Sequence, residues 1–380
     1  MKIVYCLNSI RYTGGIQRVT MMKANALANI PNNEVYVAVS DNKSGHMLEP
    51  LSDKVHLIDL DVNYYADDWK SKLHVIKGIL IKRWIHRKKL AKFLKSINPD
   101  IVISVGQSEK NFLPFIKGNW KTIREFHFVR DYRRRTAKGL FGKILAVLGD
   151  LYEANFTLKK YHHIVVLTHE DNDMNWKGWK NVSVIPNPIL NVTYLLSDLT
   201  EKKVISVGRL SQQKNFSSLI NAWVSVYSAY PDWHLEIWGD GHLKQELNCL
   251  IGKLRLTESV HLNGYTDDVM TNYAKASLFV CSSNFEGFGM VILEAMSCGL
   301  PVVSYDCPCG PRDIITEGKD GYLVPMGDEQ ALAERICYLI EHEDERLIMG
   351  KAALEKSKQY ALDIIIDKWM NLFRNLMGKE

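Results

Sequence analysis

Leu278-Phe279-Val280-Cys281-Ser282-Ser283-Asn284-Phe285-Glu286-Gly287-Phe288-Gly289-Met290-Val291-Ile292-Leu293-Glu294-Ala295-Met296-Ser297-Cys298-Gly299-Leu300-Pro301 reads as a strand, a loop and a helix. Leu278 to Cys281 is short, continuous and apolar and ends in turn residues, the pattern of a buried parallel strand. Glu286 to Gly289 is a glycine-bearing loop. Met290 to Ser297 reads as a short helix, closed by Gly299 as a left-handed cap with Pro301 just beyond. A loop poor in bulky Cβ atoms at a helix N-terminus suits an anion, because unpaired N–H groups point outward and the dipole favours negative charge. Glu286 stands in the loop and Glu294 eight residues later, two turns into the helix. A carboxylate beside a phosphate site suits a hydroxyl-rich ligand, since it accepts two hydrogen bonds from a vicinal diol. The local chemistry points to a sugar nucleotide.

Outward from that stretch, strands alternate with helical patterns along all 380 residues, which argues for doubly wound parallel sheets and for two domains. In the first half the strands read as Lys2 to Leu7, Glu34 to Ser40, Val55 to Leu60, Ile101 to Val105, Lys121 to Phe126 and His163 to Thr168. Gly14-Gly15 makes the turn into a first helix, the phosphate-approach geometry of open α/β sheets, although a full G-x-G-x-x-G is missing. Val182 to Ile189, with Pro186 and Pro188 around Asn187, cannot continue a sheet centre and reads as the linker. The rhythm restarts at Val204 to Gly208 and continues at His234 to Trp238, Val260 to Asn263 and Pro301 to Tyr305. Ala361 to Met377 carries Ile364, Ile365, Trp369, Leu372, Phe373 and Leu376 on a helical stripe, a docking helix.

Charge divides the halves. Residues 1–200 hold 30 Lys and Arg against 18 Asp and Glu (+12), and residues 201–380 hold 18 against 25 (−7), as two domains with different partners would. Lys70 to Lys95 holds ten Lys and Arg, with Leu73, Ile76, Ile79, Leu80, Trp84 and Leu90 at roughly helical spacing. Arg130 to Lys143 places Arg133-Arg134-Arg135 beside Leu140, Phe141, Ile144 and Leu145. These segments read as solvated helix faces or as surfaces for an anionic membrane or a pyrophosphate-bearing acceptor. No nucleic-acid motif accompanies the charge, which argues against nucleic acid as a partner. No apolar run approaches the ~20 residues of a membrane span. The run after Met1 stops at Asn8, too short for a secretory signal. The seven cysteines follow no framework spacing, as expected in a reducing cytosol, and Cys307-Pro308-Cys309 lacks a second ligand pair for zinc.

Arg209 and Lys214, in Gly208-Arg209-Leu210-Ser211-Gln212-Gln213-Lys214-Asn215, follow a strand, where open α/β sheets place ligands. Two cations there suit a diphosphate, the guanidinium as a fork and the ammonium as a point charge. Together with Glu286-Gly287-Phe288-Gly289, Glu294-Ala295-Met296 and Gly299-Leu300-Pro301-Val302-Val303, this pattern resembles the retaining glycosyltransferases of family 4, which have the GT-B fold. The resemblance is close over residues 204 to about 330. It implies an α/β architecture of two Rossmann-like domains with a cleft between them. Residues 1–188 would be an acceptor and membrane-facing domain, 189–362 a nucleotide-sugar donor domain, and 363–380 a C-terminal helix crossing back to the first.

The resemblance also implies residue roles. Arg209 and Lys214 would clamp the diphosphate beside Gly208, and Glu294 would hold the ribose hydroxyls. Glu286 and the backbone of Gly287, Phe288, Gly289, Met290 and Val291 would face the donor sugar and phosphate, with Gly14 and Gly15 also on the donor. Trp238-Gly239-Asp240-Gly241 looks like the family's G-x-G turn, with Gly241 near the nucleotide, and Asn263-Gly264-Tyr265 resembles the base-pocket stretch that includes Tyr265. His127 would orient the donor or acceptor; an ordinary strand-end histidine is the other reading. Tyr305 to Ile315 resembles the C-P-x-G-P version of many surface-polysaccharide transferases.

The expectation is a transferase for a hexose or N-acetylhexosamine from a UDP-linked nucleotide sugar. The acceptor would be a glycan linked to polyprenyl pyrophosphate, in capsular or O-antigen-type assembly at the cytoplasmic membrane face. No cofactor or metal is expected. Asp59-Leu60-Asp61 and Asp171-Asn172-Asp173 have the D-x-D spacing of metal-dependent enzymes but read as coincidental. A sugar-nucleotide epimerase, a phosphorylase and a non-catalytic glycan-binding subunit are the alternatives on related folds.

Overall fold

The computed structural model describes residues 1–10, 14–41, 50–64, 72–137, 139–190 and 195–378. Of the two basic segments, Lys70, Lys138 and the side chains of Leu73 and Ile76 lie outside the described residues.

The first elements are β1 (Lys2–Leu7), α1 (Gly15–Ala28), β2 (Glu34–Val39), β3 (Val55–Asp59), α2 (Lys72–Ile97) and β4 (Ile101–Ser104). Then come β5 (Lys121–Glu125), α3 (Tyr132–Thr136), α4 (Gly139–Tyr152), β6 (His163–Val166), α5 (His169–Asn175) and β7 (Val182–Val184). The second series runs β8 (Lys203–Val207), α6 (Phe216–Ala229), β9 (His234–Trp238), α7 (Lys244–Lys253), β10 (Val260–Gly264), α8 (Val269–Ala274) and β11 (Leu278–Cys281). It ends with α9 (Met290–Ser297), β12 (Val302–Tyr305), α10 (Pro311–Ile314), β13 (Gly321–Val324), α11 (Glu329–Glu341), α12 (Glu343–Ser357) and α13 (Leu362–Met377).

The chain forms two compact units: Met1–Leu167 with Asp171–Pro188 and Leu362–Glu380, and Thr168–Glu170 with Ile189–Ala361. Each holds one parallel sheet, ordered β3-β2-β1-β4-β5-β6-β7 and β10-β9-β8-β11-β12-β13. Both sheets are covered on both faces. In β1, for example, Ile3, Tyr5 and Leu7 enter one core and Val4 and Cys6 the other. Winding reverses between β1 and β4 and between β8 and β11. The loops leaving two adjacent strands therefore diverge there, opening a crevice at the strands' carboxyl ends.

Two strands are absent from the sequence reading, β7 and β13. Each is an edge strand of three or four residues. Val182 to Val184 is thus the last strand of the first sheet, and the prolines begin after it. The tail helix buries Ile365, Ile366, Trp369, Met370, Leu372 and Phe373 against Met21, Ala24 and Leu27 of α1, while Ile364 is exposed. Its apolar stripe is therefore centred about one position from the one read in sequence. Burial of side chains this size contributes roughly 1.5–3 kcal/mol each, which holds a helix that would be marginal alone.

The basic helices differ. α2 buries Leu90 and Leu94 but exposes Leu80 and Trp84. α4 buries no side chain, and Leu140 and Phe141 are 78% and 73% exposed. Asp150 near its end pairs with Arg133 and Arg134, and its large apolar residues face outward.

Candidate functional site

In the second unit the loops after β8 and β11 meet at the switch point. Asn284 N–H donates to the Gln213 carbonyl (2.8 Å), Asn284 Nδ2 to the Gln212 carbonyl (2.8 Å) and Ser282 Oγ to the Lys214 carbonyl (2.9 Å). This stitching brings Lys214 Nζ within 2.7 Å of Glu286 Oε1, which also accepts from Ser283 Oγ at 2.6 Å. Among the described residues Glu286 Oε2 has no partner, and no carboxylate pairs with the exposed Arg209. Burial alone pulls the Lys214 ammonium down, but Glu286 beside it outweighs that and holds its pKa above the ordinary lysine value.

Glycines permit the close backbone approach. Gly208 N–H donates to the Trp238 carbonyl and Leu210 N–H to the Asp240 carbonyl, both at 2.9 Å. A Cβ on Gly239, whose φ is +138°, would lie 2.0 Å from the Gly208 carbonyl oxygen, and one on Gly241 2.3 Å from that of Leu210. Gly310 likewise lies under the Phe288 carbonyl. Gly289 takes φ +97° as the N-cap of α9, so the first-turn amides of Met290 and Val291 point out of the helix. Glu294 sits on α9 and is 8% exposed. Phe288 is buried against Tyr360, which leaves its backbone rather than its ring for a ligand. Tyr265 is half exposed, its hydroxyl on Asp267.

In the first unit Gly14 caps α1 with extended backbone, and a Cβ on Gly15 would meet nothing within 4 Å. His127, just past β5, packs its Nε2 3.1 Å from Glu125 Oε1, which also binds Lys23 Nζ; all three side chains are buried. The Lys23 ammonium lies 4.7 Å from the Trp369 ring. Burial would raise the Glu125 carboxyl, but Lys23 and His127 hold it down at about 2. Burial lowers the His127 pKa despite Glu125, so the imidazole is neutral near pH 7. In a pH titration followed by NMR, His127 is expected to protonate below its ordinary 6.5. Because its folded pKa is depressed, the stability linked to it is present above 6.5 and lost on acidification through the folded pKa. A His127 resonance titrating above 6.5 contradicts this.

Residues 194–356 match the glycosyl transferases group 1 family. The chain is 27% identical to an uncharacterized glycosyltransferase of Haemophilus influenzae over 378 residues, 98% of this chain and 99% of that protein. The chain is a GT-B glycosyltransferase. Over 162 residues, 43% of this transferase and 44% of its relative, it is 33% identical to the N-acetylgalactosamine-N,N'-diacetylbacillosaminyl-diphospho-undecaprenol 4-alpha-N-acetylgalactosaminyltransferase of Campylobacter jejuni. Its fold matches a crystal structure of a mutant of S. aureus TarM in complex with fondaparinux, alpha-GlcNAc-glycerol and UDP. The TM-score is 0.77 at 17% identity, over 98% of this chain and 99% of that one.

The transferase thus gathers Gly208, Arg209, Lys214, Gly241, Glu286 to Val291 and Glu294 in its second unit, and Gly14, Gly15 and His127 at the matching sheet edge of its first. Ser283, Lys23 and Glu125 were not singled out in sequence. Ser283, three residues before Glu286, carried a readable local cue; Lys23 and Glu125, 102 residues apart, did not. Asp171 of the second D-x-D is buried, its oxygens accepting from Trp176 Nε1 (3.0 Å) and Asn175 Nδ2 (2.8 Å). In the first, Asp59 Oδ1 accepts from Asp61 N–H at 2.7 Å in a local turn.

Proposed function

We propose that this is a retaining, metal-independent transferase of family 4. It moves a hexose or N-acetylhexosamine from a UDP-linked donor to a lipid-linked saccharide in capsular or O-antigen-type assembly. The observation that carries the donor half is the Lys214–Glu286 pair in the loops before α6 and α9, with the exposed Arg209 in the same loop as Lys214 and without a carboxylate partner among the described residues. Arg209, Lys214 and the α9 amides neutralise the diphosphate, the task a metal performs elsewhere. Glu286 Oε2 accepts from a donor-sugar hydroxyl, and Glu294 takes the ribose diol. The acceptor oxygen attacks the anomeric carbon on the face the diphosphate leaves. The new C–O bond forms as the old one breaks, and a phosphate oxygen of the leaving group takes the acceptor proton. His127, neutral, hydrogen-bonds sugar rather than carrying charge.

The Campylobacter relative, named for a diphospho-undecaprenol acceptor, supports a lipid-linked acceptor, and its alpha linkage supports retention. UDP in the TarM complex supports the base. α4, with its apolar side outward and Arg133 to Arg135 alongside, suits peripheral attachment to an anionic cytoplasmic membrane face.

Calorimetry with UDP, GDP and ADP tests the donor site. UDP is expected to bind in EDTA, and Glu294→Ala to weaken it ~10-fold or more, the effect of losing charge-assisted hydrogen bonds. Binding that needs a divalent ion, or that ignores the substitution, overturns the reading.

A further inference from the structure

The first unit contains a cavity of about 350 Å³ behind α3 and α4, open past Gln107 and Phe128. Four cations line it, Lys110, Arg124, Arg130 and Arg133, against two carboxylates, Asp150 and Glu153. The carboxylates are already shared: Glu153 takes Lys110 at 2.9 Å and Arg133 as well, and Asp150 takes Arg133 and Arg134. Among the described residues neither Arg124 nor Arg130 has a carboxylate partner. Arg124, 2% exposed, spends one nitrogen on the Ser104 carbonyl, the Ser104 hydroxyl and the Gly106 carbonyl, and its Nε is buried without a partner. Arg130 stacks 4.5 Å from Trp176 and donates to the Asn175 carbonyl.

A surplus of buried guanidinium calls for an anion with several acceptor oxygens, which arginine forks bind better than any single carboxylate. Burial, with Arg124 close by, drops the Lys110 ammonium to about 8, a crowding that an added anion relieves. α4 reaches this cavity through Asp150, near its C-terminal end. The outer side of the same helix exposes Leu140, Phe141, Ile144, Leu145 and Leu148. A cationic cavity for a polyanionic head and an exposed apolar surface for a tail thus meet at one helix.

We propose that this cavity binds the diphosphate of a prenyl-linked acceptor, with the first isoprene units lying against the outer side of α4. The inference rests on the lipid-linked acceptor reading above and assigns it a place. Lys110, Arg124 and Arg130 hold the diphosphate throughout turnover, and it is not the leaving group.

The test is calorimetry of the full chain with UDP saturating, so that the donor site cannot take the probe, using farnesyl diphosphate and inorganic pyrophosphate. Farnesyl diphosphate is expected to bind at least tenfold more tightly than pyrophosphate. Lys110→Met and Arg130→Met are each expected to weaken it about tenfold or more, with UDP affinity unchanged and Lys110→Arg largely restoring binding. Phe141→Ser with Leu145→Ser should weaken farnesyl diphosphate alone. No binding of either probe, or binding indifferent to the Met variants, overturns the site. Equal affinity for the two probes overturns the lipid as its ligand and leaves a soluble phosphate compound. Failure of UDP to bind at all, with farnesyl diphosphate still bound and still sensitive to Lys110→Met, would remove the donor reading and keep this one.

Discussion

Glu286→Gln is expected to lower kcat by ~10²–10³-fold, the loss found when one preorganised group facing the transition state is removed. Glutamine keeps the shape and a hydrogen-bonding tip but not the charge. Oε1 is committed to Lys214 and Ser283, so the side chain is aimed before any ligand arrives, with Oε2 left to the ligand. The positive charge that develops on the sugar as the diphosphate departs is what a fixed carboxylate stabilises, and the ground-state donor carries little of it. The KM for the donor should therefore move much less than kcat. Steady-state UDP release, with a melting curve as folding control, checks this. A kcat within tenfold of wild type would remove Glu286 from the reacting centre.

Lys214→Met has a larger structural consequence. The pair it breaks is largely withdrawn from solvent, the side chains being 16% and 8% exposed. Deleting one partner of such a pair leaves a buried, uncompensated charge and costs ~3–5 kcal/mol. In a domain of this size that lowers Tm by roughly 2–4 °C per kcal/mol. The double variant Lys214→Met, Glu286→Gln should regain most of the stability and none of the activity, which separates the structural role from the chemical one. A full loss of activity with Tm unchanged would show that the pair is not buried in solution.

The pH dependence has a definite sign. Because the folded pKa of Lys214 lies above its unfolded value, near 10.4, the stabilisation is complete below that pH. It is lost as pH rises through the folded pKa. Wild type is therefore expected to show an alkaline loss of stability that the double variant lacks.

What the sequence alone determined is what a few neighbouring residues decide. The strand, loop and helix from Leu278 to Ser297 fall on the residues read for them, and Gly299 takes φ +78° as the cap. Alternation, capping and glycine turns act within one or two turns of chain, so they survive in one dimension. β7 and β13 escaped because three or four residues at a sheet edge carry too little periodicity to register. Ile364 and Ile366 each lie about 100° from the buried Ile365, on opposite sides of it, and only the packing against α1 says which of the two turns inward.

Tertiary structure decided the rest. Lys214 and Glu286 are 72 residues apart and meet because β8 and β11 are neighbours at the point where the winding reverses. Lys23 reaches Glu125 across 102 residues for the same kind of reason, a strand order that no local signal encodes. α4 is the sharpest case: its pattern reads equally as a solvated face or as a docking surface, and only the structure shows its large apolar residues outward while Asp150 pairs with Arg133 and Arg134. Hydrophobic spacing states that a face must be covered, but which face docks is set by the partners that charge and topology bring to it.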